Sequence, residues 1–247
     1  TNISLGLMQG NEVIGSFRLT TKTPRTSDEF GLCIKELLDM TKLQDDDIEA
    51  VIISSVVPKI MYSLTSAIIK FLHKDPIIVG PGIKTGISIR TDNPREVGAD
   101  RIVDISMAYH TYHKSCIIVD FGTATTFDYI SGEGVFKYTV IAPGLGIVAN
   151  ALTSQTAKLP EIEIQKPESI LNGNTITGMQ AGVIYGYIGS VEYIIKQMKK
   201  ELKLKDCLVI ATGGLGKVIA KETKEIDLFD PDVAYKGMRI LYDLNKK

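Results

Sequence analysis

Four short runs of mostly β-branched residues, nearly free of charge, constrain the fold of this 247-residue chain most strongly. They occupy residues 50–57, 76–79, 116–120 and 207–211. Continuous apolar runs of this length are typical of strands that are buried on both faces and lie between helices. Apolar residues at helical spacing predict such helices from Ser27 onwards and at 62–72, 99–110, 174–202 and 234–245. The chain is therefore predicted to belong to the α/β class.

Two regions of alternating apolar and polar residues predict β-hairpins. The first joins residues 3–8 to 12–19 through a turn that contains Gly10, and the second joins 116–120 to 127–130 and 135–142. The sequence of residues 120–123 also echoes the opening of the chain at residues 1–3, since both lead into a hairpin strand. We therefore predict two lobes, at residues 1–112 and 113–247, each with a mixed sheet that starts with a hairpin and carries flanking helices.

The composition limits the classes of function that the chain can have. Hydrophobic residues make up 44% of it, which is enough to build a core, so disorder is not expected. A formal net charge of -1 leaves no basic surplus for binding nucleic acid. The lysines within residues 196–205 are interpreted as the solvated end of a helix. Three widely spaced cysteines and the lack of a long uncharged stretch predict a cytoplasmic protein without a membrane partner.

A carboxylate followed by glycine and three hydroxyl side chains stands at the end of the strand predicted at 116–120. Residues 120–126 read Asp-Phe-Gly-Thr-Ala-Thr-Thr. The glycine permits a tight turn, and the amides and hydroxyl groups that follow it can donate hydrogen bonds to phosphate oxygens. Because the carboxylate of Asp120 would repel a phosphate, a bound cation between the two groups is expected. The alternative interpretation is an ordinary threonine-rich hairpin.

A second glycine-rich turn, Thr-Gly-Gly-Leu-Gly, occupies residues 212–216. It follows the strand predicted at 207–211 and precedes a helix, and a backbone without side chains lets an adenine ring or a phosphate come close. The alternative is a helix-entry turn that binds no ligand.

The segment 93–101 contains a third candidate group, because Asp100 and Arg101 follow Gly98 and Ala99 at the predicted start of a helix. An ionised carboxylate at this position could accept a proton from an alcohol, as a general base does. Alternatively, Asp100 is a first-turn acid that only stabilises the helix through its dipole.

In their order along the chain, these motifs resemble the type III pantothenate kinase family, which belongs to the actin-like superfamily of sugar and acetate kinases. The resemblance covers almost the whole chain. The matching stretches are 53–58, 80–86, 93–101, 120–126, 142–144, 157–160, 174–175 and 213–214.

The resemblance implies two actin-like, ribonuclease H-like lobes and an enzyme that phosphorylates pantothenate with ATP, the first step of coenzyme A synthesis. It also implies a homodimer. In this family the carboxylate that corresponds to Asp100 is the general base. The resemblance implies that pantothenate is held by Gly98, Ala99, Asp100 and Arg101, by Thr175 as the cap of the long helix, and by the position of Thr91.

On the nucleotide side, the resemblance implies that ATP is bound by Thr1, Asn2, Ile3, Thr123, Gly213 and Gly214. It implies that Asp120 binds a monovalent cation, either potassium or ammonium, and that Mg²⁺ is carried by ATP. Phosphoryl transfer depends on positioning and charge neutralisation, which this set of groups would supply.

The sequence departs from the family pattern in three places. The family begins with a buried strand that ends in Asp-x-Gly-Asn just before the position of Thr1, so we expect further residues there and, without them, a first sheet that lacks a central strand and a magnesium–phosphate contact. A tyrosine that is usual in the family falls at Thr91, and a usual Gly-Gly pair is Tyr138-Thr139, which is expected to narrow the cleft.

Two alternative functions follow from the same resemblance. The chain could be an accessory regulatory protein of the family, although it offers no basic recognition helix for DNA. It could also be another small-molecule kinase of the superfamily.

Overall fold

A computed structural model describes residues 2–21 and 23–246 of the chain. The helices are α1 (Ser27–Met40), α2 (Pro58–Leu72), α3 (Ala99–Tyr112), α4 (Leu145–Ser154), α5 (Thr175–Glu201), α6 (Gly216–Ala220) and α7 (Val233–Asn245). The strands are β1 (Asn2–Gln9), β2 (Glu12–Thr20), β3 (Ile52–Ile53), β4 (Ile77–Ile78), β5 (Ser88–Ile89), β6 (Cys116–Phe121), β7 (Ala124–Ile130), β8 (Val135–Pro143), β9 (Leu208–Thr212) and β10 (Leu228–Phe229). The α/β class predicted from the sequence is confirmed.

Contacts divide the chain into two compact units. Unit 1 contains the described parts of Thr1–Gly86, Asn93–Met107 and Asp232–Lys247, and unit 2 contains Ile87–Asp92 and Ala108–Pro231. The last helix, α7, therefore belongs with unit 1, although the sequence-based boundary places it in the lobe at 113–247. That boundary stays a prediction.

Unit 1 starts with the predicted hairpin. Strands β1 and β2 pair antiparallel around a turn in which Gly10 has a φ of 58°. Helix α1 then begins after Thr26, whose side chain accepts a hydrogen bond from the N–H of Glu29 while the Glu29 carboxylate accepts one from the N–H of Thr26. This reciprocal pair is a capping box, which satisfies two amide groups at the start of the helix.

The next two strands of unit 1 are shorter than the sequence predicts. Strand β3 covers two of the residues predicted at 50–57, and β4 covers two of those predicted at 76–79. They form a parallel pair that is separate from the pair β1–β2. Helix α2 begins at Pro58 rather than at residue 62, since proline is well suited to the first helical position.

The core of unit 1 lies between these strands and the helices α1 and α2. Its buried residues are Ile3, Phe30, Leu38, Ile53, Leu64, Ala67, Ile68 and Leu72. Helix α7 contacts β1 and β3, and the Tyr235 hydroxyl group donates a hydrogen bond to the carbonyl oxygen of Leu5 over 3.4 Å. The C-terminal helix is thus part of this unit.

Unit 2 is built on one six-stranded mixed sheet with the order β10-β9-β6-β7-β8-β5. Strands β6, β7 and β8 run antiparallel as the predicted second hairpin, while β9 pairs with β6 in parallel. Helix α5 covers one face of this sheet. The core between them includes Ile117, Val119, Phe127, Ile184, Val191, Ile195, Val209 and Ala211.

Several elements of unit 2 were not predicted, namely the two-residue strands β5 and β10 and helix α4. Helix α5 begins at Thr175, with Asn174 as its N-cap, so the expectation that Thr175 is the cap is wrong. Across residues 2–21 and 23–246, no helix combines the length and the apolar character that crossing a membrane requires.

Candidate functional site

The parallel strands β6 and β9 end side by side at one edge of the unit 2 sheet, where Asp120 pairs with Thr212. The chain then turns at Gly213, whose φ of 93° is in the left-handed region that favours glycine. A Cβ atom at Gly213 would lie 2.6 Å from Oδ1 of Asp120 and 2.6 Å from the carbonyl oxygen of Phe121. Glycine is therefore needed here both for the backbone angle and for the space beside the Asp120 carboxylate.

Gly144 packs directly against the turn between β6 and β7. The Gly144 N–H donates a hydrogen bond to the carbonyl oxygen of Thr123 over 3.2 Å. A Cβ atom at Gly144 would collide with this oxygen and would lie 2.6 Å from the carbonyl oxygen of Gly122. Gly122 and Thr123 are themselves exposed. A turn of exposed backbone and hydroxyl groups at the carboxyl ends of strands is suited to binding phosphate groups.

The three glycines of the turn at 212–216 have different roles. Gly216 is buried, and a Cβ atom there would lie 2.8 Å from the Phe121 ring and 2.9 Å from the Phe229 ring, so its role is to let α6 pack closely. Gly214 is exposed, whereas Gly213 faces Asp120. The helix-entry interpretation accounts for Gly216, and the binding of a ligand by Gly213 and Gly214 stays a prediction.

Oδ1 of Asp120 and the carbonyl oxygen of Phe121 both lie beside Gly213, close to the position that a Cβ atom would take. Carboxylate and carbonyl oxygens are the ligands that hard cations prefer. Among the residues that the structure describes, no group of three or more His, Cys, Asp or Glu side chains could hold a metal ion.

Asp100 lies in the first turn of α3, in unit 1, and is exposed. Its Oδ1 accepts a hydrogen bond from the N–H of Arg101 over 2.8 Å. A Cβ atom at Gly98 would lie 2.5 Å from the same Oδ1 and 3.3 Å from Cγ1 of Val56. Gly98 therefore leaves the room that the Asp100 carboxylate occupies. An exposed carboxylate fixed by its neighbour's amide can accept a proton from a bound hydroxyl group.

The remaining predicted substrate residues, Thr91 and Thr175, belong to unit 2. In unit 2, the Thr91 hydroxyl oxygen is buried and has no hydrogen-bond partner among the described residues. Buried polar groups normally have a partner, so this hydroxyl group is a candidate for contacting a ligand. Thr175 is exposed at the first position of α5, next to its N-cap Asn174.

The predicted nucleotide contacts at the start of the chain are only partly described. Thr1 lies outside the described residues. Asn2 is exposed in β1, whereas the side chain of Ile3 is 9% exposed and belongs to the core of unit 1. Any contact of Ile3 with ATP would therefore involve its backbone.

The structure thus brings Asp120, Thr123 and Gly213 to one edge of the unit 2 sheet, and it gathers residues 98–101 in unit 1. The role of Gly144 was missed by the sequence analysis, which includes it only in a matching stretch. The available signal was a Pro-Gly pair directly after a predicted strand, where close backbone approach is common.

An α/β fold with a glycine-lined turn after a parallel strand and an exposed carboxylate in the first turn of a helix is compatible with the class of small-molecule kinases. A sequence model of the family described as type III pantothenate kinase matches residues 1–197. The chain is 50% identical to the type III pantothenate kinase of Agathobacter rectalis over 98% of this chain and 93% of that protein. It is 49% identical to the type III pantothenate kinase of Bifidobacterium longum (strain DJO10A) over 100% of this chain and 96% of that protein. The chain belongs to the type III pantothenate kinase family.

A solved structure from Campylobacter jejuni, of a protein named for the Baf family of transcriptional activators, is also similar. The two chains share 18% sequence identity with a TM-score of 0.59, over 93% of this chain and 90% of that chain. At this identity the similarity shows that the fold is shared. The predicted family and the predicted kinase class are confirmed by the relatives and the family model.

Proposed function

We propose that this protein transfers the γ-phosphate of ATP to the hydroxyl group of pantothenate, which is the first step of coenzyme A synthesis. Membership of the family supports the choice of substrates. The structural observation that carries the proposal is the close approach of Gly213 to Asp120 and of Gly144 to Thr123, which leaves a turn of exposed backbone for phosphate groups.

Asp100 is the proposed general base. Its Oδ1 already accepts the Arg101 N–H, so the carboxylate has a defined orientation. The carboxylate takes the proton of the substrate hydroxyl group as its oxygen attacks the γ-phosphorus. The new O–P bond forms while the bond between the γ-phosphorus and the β–γ bridging oxygen breaks, and ADP leaves. Gly98, Ala99 and Arg101 are proposed to hold pantothenate beside this carboxylate.

On the nucleotide side, Thr123, Gly213 and Gly214 are proposed to contact ATP through the hydroxyl group and the exposed backbone. Asp120 is proposed to hold potassium or ammonium together with the Phe121 carbonyl oxygen. When bound, this cation and the Mg²⁺ of ATP offset the negative charge of the phosphates. Asn2 and the backbone of Ile3, with Thr1, are proposed as further contacts.

Thr91 and Thr175 of unit 2 are also proposed to contact pantothenate. The buried Thr91 hydroxyl group has no partner among the described residues, and a polar group of the substrate would supply one. Thr175 is exposed beside the N-cap of α5, where it is accessible to a substrate.

The variant Asp100→Asn tests the proposed reaction, because it keeps the size of the side chain and removes its basicity. Loss of a general base lowers kcat by about 10²–10⁴-fold, so kcat for ADP release and for phosphopantothenate formation should fall by this amount. Asp46→Asn, which changes an exposed carboxylate elsewhere in unit 1, is the matched control and should keep the wild-type rate. A wild-type protein that does not turn over pantothenate would refute the function, and an Asp100→Asn variant within fivefold of wild type would refute the role of Asp100.

The variant Asp120→Asn tests the cation site. Its binding of MgATP should lose the dependence on potassium concentration that the wild-type protein shows. The measurement is the dissociation constant of MgATP in potassium chloride and in choline chloride at equal ionic strength. Equal potassium dependence in the two proteins would remove Asp120 from the cation site.

A homodimer is proposed from the exposed face of α5. A groove of about 280 Å³ runs along this helix between Gly182, Gly186 and Ser190 on one side and Pro143 and Val148 on the other. It is mostly apolar, which suits a second copy of the chain. The wild-type protein should sediment at twice the 27.0 kDa mass of the chain. Gly182→Arg should sediment as a monomer, since nothing within 4 Å of a Cβ atom at Gly182 would disturb the fold of the subunit.

The cytoplasm is the proposed location. Cys33, Cys116 and Cys207 are all free thiols, and free cysteines are common where disulfides are reduced. Fractionation of cells should recover the protein with soluble cytoplasmic enzymes, and recovery from an exported fraction would contradict the proposal.

A further inference from the structure

One buried side chain on α5 contacts three segments of the proposed phosphate-binding turn. The ring of Tyr187 lies 6.3 Å from the ring of Phe121, measured between centroids. Its hydroxyl oxygen lies 2.5 Å from Oγ1 of Thr125 and 3.1 Å from the carbonyl oxygen of Pro143. Tyr187 is 8% exposed and Thr125 is 1% exposed, so these hydrogen bonds form away from solvent.

The three partners of Tyr187 are next to the residues that shape the turn. Phe121 comes directly before Gly122, and its carbonyl oxygen lies beside Gly213. Thr125 is two residues after Thr123. Pro143 comes directly before the glycine whose N–H binds the Thr123 carbonyl oxygen. The chain segments on both sides of the turn are therefore connected to one tyrosine.

The direction of the two hydrogen bonds follows from their chemistry. A carbonyl oxygen can only accept, so Tyr187 donates its hydroxyl hydrogen to Pro143. The Thr125 hydroxyl group must then donate to the Tyr187 oxygen. A tyrosine hydroxyl group is protonated at neutral pH, and burial raises the pKa of Tyr187 further above its ordinary value. These two hydrogen bonds link Thr125 to Pro143 only while Tyr187 carries its hydroxyl group.

We propose that Tyr187 is a positioning residue for ATP, since its hydroxyl group holds Thr125 and Pro143 so that Thr123 and Gly144 keep the shape of the phosphate-binding turn. Tyr187 does not touch the nucleotide. The proposal rests on the ATP site proposed above and concerns nucleotide affinity alone, so it predicts no change in the binding of pantothenate.

The test compares Tyr187→Phe with wild type in the full-length protein. The dissociation constant of MgATP, measured by calorimetry without pantothenate, should rise about tenfold, and KM for MgATP should rise with it. KM for pantothenate should stay within twofold. Phenylalanine keeps the ring contact with Phe121 and removes only the hydroxyl group, so a change confined to the nucleotide is expected.

Tyr185→Phe is the matched control, because Tyr185 lies on the same helix and its hydroxyl group also donates one hydrogen bond to a carbonyl oxygen, that of Pro167, over 3.1 Å. This variant should bind MgATP as wild type does. Thr125→Val removes the same hydrogen bond from the other side and should weaken MgATP binding about threefold. The double variant Tyr187→Phe/Thr125→Val should bind MgATP no more weakly than Tyr187→Phe alone, since both changes break the same hydrogen bond.

The outcomes separate this inference from the proposed function. Wild-type protein that binds MgATP but does not phosphorylate pantothenate would refute the substrate assignment and leave the tyrosine test intact. A Tyr187→Phe variant with wild-type MgATP affinity, even if it unfolds at a lower temperature, would show a purely structural role and overturn the inference. Equal losses in Tyr187→Phe and Tyr185→Phe would overturn it as well, and so would wild-type protein that binds no MgATP.

Discussion

Replacing Gly213 with alanine should affect both the stability of unit 2 and its cation site. A residue with a Cβ atom in the left-handed region costs about 1–2 kcal/mol of folding free energy. At Gly213, where φ is 93°, the Cβ atom would also lie 2.6 Å from Oδ1 of Asp120 and 2.6 Å from the Phe121 carbonyl oxygen. Relieving such overpacking typically costs a further ~1–3 kcal/mol. The total expected loss of unfolding free energy is about 2–5 kcal/mol.

Gly82→Ala separates the two contributions. Gly82 has a φ of 95°, close to that of Gly213, but nothing lies within 4 Å of a Cβ atom there. It should therefore lose only the ~1–2 kcal/mol of backbone strain. Urea unfolding followed by circular dichroism gives both free energies. In Gly213→Ala the displaced Asp120 carboxylate should also weaken the potassium dependence of MgATP binding, whereas Gly82→Ala should keep it. Equal losses of stability in the two variants, with unchanged potassium dependence in both, would refute the crowding argument.

Two further predictions concern α5. Asn174→Ala removes the N-cap of the helix and should lower the free energy of unfolding by about 0.5–2 kcal/mol in urea titrations, and an unchanged value would show that the cap contributes nothing. A hydrogen bond from Thr223 and, to a smaller extent, one from Lys196 hold the pKa of Glu192 below its ordinary value of 4.5. The ionised Glu192 carboxylate therefore stabilises the fold above that pH, and this stabilisation is lost as the pH falls through the folded pKa. Glu192→Gln should therefore lose less stability than wild type on acidification below about pH 4.5, and parallel curves would contradict this sign.

The sequence predicts the middle of the unit 2 sheet well because its strands have a strong local signal. The runs at 116–120 and 207–211 are apolar except for Asp120, and they form β6 and β9 within one residue of the predicted bounds. The hairpin β1–β2 was equally clear, since its alternation of apolar and polar residues runs on both sides of a glycine turn. In these elements the local pattern and the tertiary packing agree.

The predicted bounds fail where pairing with a distant strand decides them. Residues 50–57 have the composition of a strand, but only Ile52 and Ile53 find partners, in β4. The two-residue strands β5 and β10 exist because they lie beside β8 and β9, and no local pattern marks them. Helix α2 begins at Pro58 rather than at residue 62, because proline also starts helices. A strand is defined by its neighbour, so a single sequence cannot give its length.

The candidate site shows the same division between local and distant information. The resemblance identifies Asp120, Thr123 and Gly213 because each stands in a short motif. Tyr187 stands in no such motif, and it is separated from Thr125 by 62 positions. Its importance depends on two hydrogen bonds that only the folded chain brings together. A motif therefore predicts which groups can meet a ligand, whereas the side chains that fix those groups must be found from contacts. Changes at Asp120, Thr123 or Gly213 would alter groups that are proposed to touch ATP or its cation. Tyr187→Phe alters none of them, so a loss of MgATP affinity in this variant would report on the shape of the turn alone.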